Sequence, residues 1–242
     1  MAYRVLLAGA AGVIGRRLAP LLVEAGHDVF GTTRSAERAK ALEAAGVNPV
    51  IVDVFDAPAL SRTVASIRPE IVIHQLTDIP RNFGPDRAAE ASARNARVRR
   101  EGTPNLVAAA IAAGARRMIA QSIAWMYAPG PEPHGEGDPL DFKAEGTRGI
   151  SVGGVAALEQ ATLNSPPLEG IVLRYGQFYG PGTGVDEPKG SAPLHVDAAA
   201  SAAVLAIEKA RPGIYNVAEA NKYVATDKAR RELGWDPGFR LS

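Results

Sequence analysis

The stretch Arg4-Val5-Leu6-Leu7-Ala8-Gly9-Ala10-Ala11-Gly12-Val13-Ile14-Gly15 decides the fold of this chain. Its apolar run from Val5 to Ala8 suits a parallel strand buried on both faces. Three glycines follow at G-x-x-G-x-x-G spacing, and Arg16 to Ala25 reads as a helix. Gly9 permits the tight turn, Gly12 lets the backbone approach a pyrophosphate, and Gly15 lets helix and strand pack closely. The helix N-terminus adds free N–H groups and a positive dipole end for the phosphates. Gly9, Ala11, Gly12, Val13, Ile14 and Gly15 are therefore candidate contacts of a dinucleotide. A glycine turn that serves packing alone is the competing reading.

Outward from this turn, strand and helix patterns alternate. Strands are expected at 28–33, 49–52, 71–75, 117–121 and 170–174, with helices over 36–45, 58–66 and 151–163. One long amphipathic helix over 87–113 carries a break near Gly102 and Pro104. Such alternation demands right-handed crossovers and an α/β, Rossmann-type doubly wound parallel sheet. Ligands then lie at the carboxyl ends of the strands, where the glycine turn, Asp53, Gln75 and Ser122 fall. The Pro- and Gly-rich stretch 128–147 reads as an active-site flap or a solvated connection. After Arg174 the order weakens into turn formers over 176–191, a helix over 196–209, a short strand over 213–217 and a last helix over 226–233.

The bulk numbers narrow the function. The 242 residues carry 27 basic and 26 acidic side chains, a net charge of +1 and a mean hydropathy of -0.04. No single-sign field points to nucleic acid or to an anionic membrane, and no apolar run approaches the length of a membrane span. The chain has no cysteine, which excludes disulfides and thiolate chemistry and fits a reducing, cytoplasmic setting. Its Ala and Arg richness gives a bacterial impression. His27, His74, His134 and His195 show no metal-ligand spacing, so no metal is expected. His134 is placed in a flexible loop.

Further motifs resemble one family. Val52-Asp53-Val54-Phe55-Asp56, Asn95 followed by Gly102-Thr103-Pro104-Asn105-Leu106, and Gln121-Ser122-Ile123-Ala124-Trp125-Met126-Tyr127 carry the resemblance. So do Leu173-Arg174-Tyr175-Gly176-Gln177-Phe178-Tyr179-Gly180-Pro181-Gly182, His195-Val196-Asp197 and Arg231-Glu232-Leu233-Gly234-Trp235-Asp236-Pro237. Together with the glycine turn they resemble the extended short-chain dehydrogenase/reductase superfamily, in its NAD-dependent epimerase/dehydratase branch. The resemblance implies adenine contact at Asp53 and Val54 and cofactor contacts at Gln75, Leu76, Thr77, Asn95 and Tyr175. It also implies division into a dinucleotide-binding domain (1–175) and a small, reduced C-terminal substrate lobe (176–242). That lobe is either truly short or lacks segments of a longer chain.

The departures from the family pattern concern its chemistry. The family's proton relay is a Tyr-x-x-x-Lys pair on a helix, with a Ser or Thr at the end of the fifth strand. Alignment on Leu158-Glu159-Gln160 puts Ser151 and Val155 at the Tyr and Lys positions, and Ile123 in the Ser/Thr slot. Ser122, offset by one, is a substrate or cofactor contact or else a structural hydroxyl. Tyr127 and Tyr175 are the nearest phenols that could replace the acid, with a pocket wall as the alternative. Ser122 and Tyr127 are thus the candidate catalytic residues. Where an NAD site places an acid, Thr33 stands, followed by Arg34 and Ser35, which suit the 2′-phosphate of NADP. NADP is the expected cofactor, with NAD second. The expected activity is an epimerase/dehydratase-like oxidoreductase acting on a hydroxyl or carbonyl substrate, a nucleotide-sugar-like one among the candidates. A non-catalytic NADP(H)-binding sensor is the alternative, and a homodimer is left open.

Overall fold

In the computed structural model, residues 1–79 and 87–241 are described. The chain runs β1 (Arg4–Ala8), α1 (Val13–Glu24), β2 (Asp28–Thr33), α2 (Ala36–Ala44), β3 (Asn48–Ile51), α3 (Ala57–Ile67) and β4 (Ile71–His74). It continues with α4 (Ala88–Arg97), a π-turn at Val98–Gly102, α5 (Thr103–Ala112), β5 (Arg117–Ile123), α6 (Gly146–Leu163) and β6 (Glu169–Tyr175). Then come β7 (Gln177–Tyr179), β8 (Pro193–His195), α7 (Val196–Lys209), β9 (Gly213–Val217) and a closing π-turn at Ala229–Leu233. The main sheet has the order β3-β2-β1-β4-β5-β6-β9, and its pairs are parallel. The strand order reverses between β1 and β4, which opens a crevice beyond their carboxyl ends.

Strand alternation divides the core. Val5, Leu7, Ile71 and Ile73 pack with α1 and α7 on one face, and Leu6, Ala8, Val72 and Met118 with α3 and α5 on the other. The expected long helix divides because Gly102 lies against Val54, where a Cβ would come within 2.9 Å of Val54 Cγ1. Pro104 then starts α5 without the N–H that a continuous helix needs. Helix α6 begins at Gly146, earlier than Ser151, and the last expected helix closes as a π-turn ended by Gly234 at φ +64°.

The boundary expected at residues 175 and 176 crosses a single core. Strand β9 pairs with β6, and Tyr215, Leu233 and Trp235 join the α1–α7 cluster. The Trp235 indole donates to the Ala198 carbonyl at 2.8 Å. Much of the expected lobe is therefore an extension of the main sheet, because the free edge of β6 supplies the backbone partners that Gly213–Val217 needs. Strands β7 and β8 pair in a separate parallel ribbon.

The stretch 128–147 is pinned, which removes the mobile reading of His134. That histidine is 3% exposed, stacks on Tyr127 at 5.0 Å, and exchanges backbone hydrogen bonds with Tyr223 and Ala225. Arg148 donates to the carbonyls of Trp125 and Tyr127 and to the Asp141 carboxylate, fastening the stretch to the end of β5. Among the described residues no helix is long and apolar enough to cross a membrane.

Candidate functional site

The glycine turn has the shape its sequence demands. Gly9 has φ +89°, and a Cβ there would lie 2.7 Å from the Gln75 carbonyl oxygen. A Cβ on Gly15 would come within 2.6 Å of the Ala10 oxygen, so the first turn of α1 closes onto β1 only with glycine there. The amide of Gly9 donates to Thr32 Oγ1 at 3.1 Å, tying the turn to β2. No side chain caps α1 at Gly12, and no acid stands in its first turn. The N–H groups of Val13, Ile14 and Gly15 thus open a helix N-terminus suited to an anion.

A cavity lies over this turn. Gly9, Ala11, Gly12, Arg34, Asp53, Val54, Gln75, Leu76 and Thr77, all expected from sequence, line it together with Thr32, Arg38, Phe55, Asp78, Val98 and Leu106. Asp53 Oδ1 accepts from the Phe55 amide at 3.0 Å, which fixes the loop after β3. Ser35 is not in the lining. It caps α2, its hydroxyl accepting from the Arg38 amide at 3.3 Å. Asn95 also stands behind the wall, where its Oδ1 accepts from the Asp78 amide at 3.2 Å.

Asp78 carries the rim. Its carboxylate takes a two-pronged bond from Arg94, at 2.8 and 3.1 Å, and lies 3.5 Å from the Arg34 guanidinium. The Arg94 hydrogen bond holds the Asp78 carboxyl below the usual carboxylate range; burial opposes this, and the charges of Arg94 and Arg34 add to it. Sequence reading missed Asp78, and its only signal was adjacency to Gln75-Leu76-Thr77. Beneath this strand end, burial lowers His74 to about 3, helped by the charge of Arg99. His74 is therefore neutral, with Nδ1 accepting from the Leu76 amide at 3.1 Å and Nε2 left to donate to Thr103 Oγ1 at 2.9 Å. The Gln75 amide is buried beside the Tyr175 phenol, and neither of its polar atoms makes a well-formed hydrogen bond among the described residues.

The candidate catalytic groups occupy different surroundings. The Ser122 hydroxyl donates to Glu159 Oε1 at 2.6 Å, and the same carboxylate takes two bonds from Arg174, at 2.8 and 2.7 Å. Ser122, Glu159 and Arg174 are all buried. The Tyr127 phenol donates to Asn216 Oδ1 at 2.6 Å beneath the Arg174 guanidinium, and burial raises its pKa. The Tyr175 phenol donates to the Ala199 carbonyl at 2.9 Å; burial pushes its pKa up, with the neighbouring Gln75 amide acting the other way. All three hydroxyls are thus satisfied inside the protein, which gives each a packing role in this geometry.

Two of the three relay positions read from sequence, Ile123 and Val155, join one apolar cluster. Ile123 at the end of β5 packs with Val152 and Val155 of α6, with Met126 and Leu140, and with the half-buried Trp125. Ser151 lies half-buried on α6, one turn before the fully buried Val155.

The profile of the NAD dependent epimerase/dehydratase family matches residues 5–194. The chain belongs to that family. It is 42% identical over 237 residues to a 3-diazoavenalumate denitrifying reductase of Streptomyces sp, across 89% of this chain and 76% of that protein. Among solved structures it resembles the Bordetella bronchiseptica enzyme WbmG in complex with NAD and UDP, with TM-score 0.74, 20% identity, and 100% of this chain against 91% of that one. It also resembles a UDP-glucose 4-epimerase of Thermotoga maritima with UDP-glucose, with TM-score 0.78, 19% identity, and 98% against 94% coverage. At those identities the structural likeness speaks for the fold. Family and relative together make the chain an NAD(P)-binding, oxidoreductase-like protein.

Proposed function

We propose that this protein is an NAD(P)H-dependent reductase that delivers a hydride to a small aromatic electrophile of the arenediazonium type. The observation that carries the reading is the apolar cluster that Ile123 and Val155 join at two of the three relay positions. Reduction of a carbonyl needs a proton as well as a hydride, and neither Ile123 nor Val155 can supply one. An arenediazonium that takes up a hydride and releases dinitrogen gives the arene, and atoms and charge balance without any proton. The reduced dinucleotide supplies the hydride, and the protein's task is to bind, orient and exclude water. The relative named for reductive denitrification of a diazo compound supports the same substrate class.

The cavity fits the dinucleotide: a cradle that a Cβ would fill at Gly15, an uncapped helix N-terminus, and polar groups of β2 to β4 around its rim. For the cofactor the reading is NADP(H), because Arg34 and Arg38 both line the cavity on the side of β2, where no acid stands at Thr33. Ser122 and Tyr127 act in this reading as scaffold for α6 and β6, and hydride delivery proceeds without them.

The test incubates the protein under anaerobic conditions with a benzenediazonium carboxylate and NADPH deuterated on one face of C4. The expected result is enzyme-dependent formation of the monodeuterated arene from one of the two deuterated faces only. Turnover of carbonyl compounds or nucleotide sugars with no effect on the diazonium would return the chain to ordinary family chemistry. Tight cofactor binding with no turnover of any substrate would favour the sensor reading.

A further inference from the structure

Asp78 spans the mouth of the cofactor cavity between two arginines that come from different parts of the chain. Arg34 follows β2, Arg94 lies on α4, and Asp78 follows β4, so the three side chains form a strap across the rim. The two contacts differ. Arg94 holds the carboxylate with two hydrogen bonds, at 2.8 and 3.1 Å, while Arg34 approaches it only to 3.5 Å. The backbone of Asp78 is fixed separately by Asn95, and the Asp78 side chain is 19% exposed against 58% for Arg34. Asp78 is therefore the fixed member and Arg34 the mobile one, a long side chain that can exchange one anion for another.

We infer that Asp78 sets the choice between NADP(H) and NAD(H), by competing with the cofactor's 2′-phosphate for Arg34. This rests on reading the cavity as a dinucleotide site with Arg34 on the 2′ side. With NAD(H) bound, Arg34 stays beside Asp78. With NADP(H) bound, Arg34 turns to the phosphate, which carries close to two negative charges and three acceptor oxygens. Asp78 then keeps Arg94 as its counter-ion and is not left unpaired. The carboxylate thus opposes the phosphate by occupying Arg34. Arg94 limits that opposition by drawing Asp78 to its own side. The strap lets one site take both dinucleotides instead of fixing a steep preference.

The experiment measures dissociation constants of NADPH and NADH by calorimetry for the intact protein and for Asp78→Asn, Arg94→Gln, Arg34→Ala and Asp78→Asn with Arg34→Ala. Asp78→Asn should shift the ratio of the two constants toward NADPH by about fivefold, the scale of a partly exposed ion pair. Arg94→Gln should shift it the other way, because Asp78 then has only Arg34. In the Arg34→Ala background the Asp78 substitution should lose its selective effect. Equal changes for both cofactors, a shift toward NADPH in both single variants, or a selective effect that survives without Arg34 would each overturn the inference. If the intact protein binds neither dinucleotide, the reading of the cavity itself has failed. Circular dichroism of each variant confirms that the fold is retained.

Discussion

The two halves of the sheet's carboxyl edge are built from different materials. Over β1, β2 and β4 the edge is a cavity with glycine backbone, an open helix N-terminus, and Arg34, Arg38, Asp53 and Asp78 around the rim. Over β5 and β6 the polar groups are sealed below the surface in the Ser122–Glu159–Arg174 network, and Ile123, Val152 and Val155 form an apolar cluster. The difference teaches that binding a dinucleotide and moving a proton are separable in this fold. The first depends on backbone shape and a helix end, which the chain retains. The second depends on three side chains, and the resemblance aligns Ser151, Val155 and Ile123 with their positions.

The largest expected effect breaks the second half without touching the first. Glu159→Ala would leave Arg174 buried without a counter-charge and remove the carboxylate facing the buried Arg99. Stability should fall by about 3–5 kcal/mol, read from urea unfolding. The converse test is Arg34→Ala, which should weaken NADP(H) by about 1.5–3 kcal/mol and NAD(H) far less, with unfolding unchanged. A parallel loss for both cofactors would remove Arg34 from the 2′ side.

Ser122→Ala sharpens the contrast at the one residue that both readings claim. As scaffold it should cost about 1–2 kcal/mol of stability and leave kcat within a few-fold. A fall in kcat of a hundredfold at unchanged stability would make Ser122 catalytic and dissolve the comparison. The last expected effect is a slope. His74 is held neutral with a pKa of about 3, against 6.5 when unfolded. The unfolded chain therefore binds more protons between those values, so stability is full above pH 6.5 and falls as pH drops toward 3. His74→Gln should remove up to about 1.4 kcal/mol per pH unit of that acid sensitivity, seen as a shallower loss of stability between pH 6 and 4.

Much of the first half was legible in the sequence because its signals are local. The bounds of β1, β2, α7 and β9 follow from apolar runs and turn residues, and the glycine spacing dictates the turn. Asp53, Gln75 and Arg34 sit at strand ends, where the topology delivers them to the cavity. Asp78 was not legible, since its role depends on Arg34 and Arg94, which are distant in sequence. Ser122 was legible as a residue of interest but not in its orientation. Its partner Glu159 lies on α6, and a one-residue offset along a strand turns a side chain to the other face.

The sequence by itself determined the doubly wound sheet and the place of the phosphate turn, because periodicity and spacing are properties of the chain. Only the tertiary structure decided that β9 completes the main sheet and that Tyr127, Tyr175 and Ser122 spend their hydroxyls inside the protein. It likewise decided that a carboxylate from the loop after β4 reaches the arginine after β2. Those outcomes depend on which groups meet across the sheet once water is excluded. A buried hydroxyl or charge must then take whatever partner packing brings, and that partner is set by the fold rather than by its neighbours in sequence.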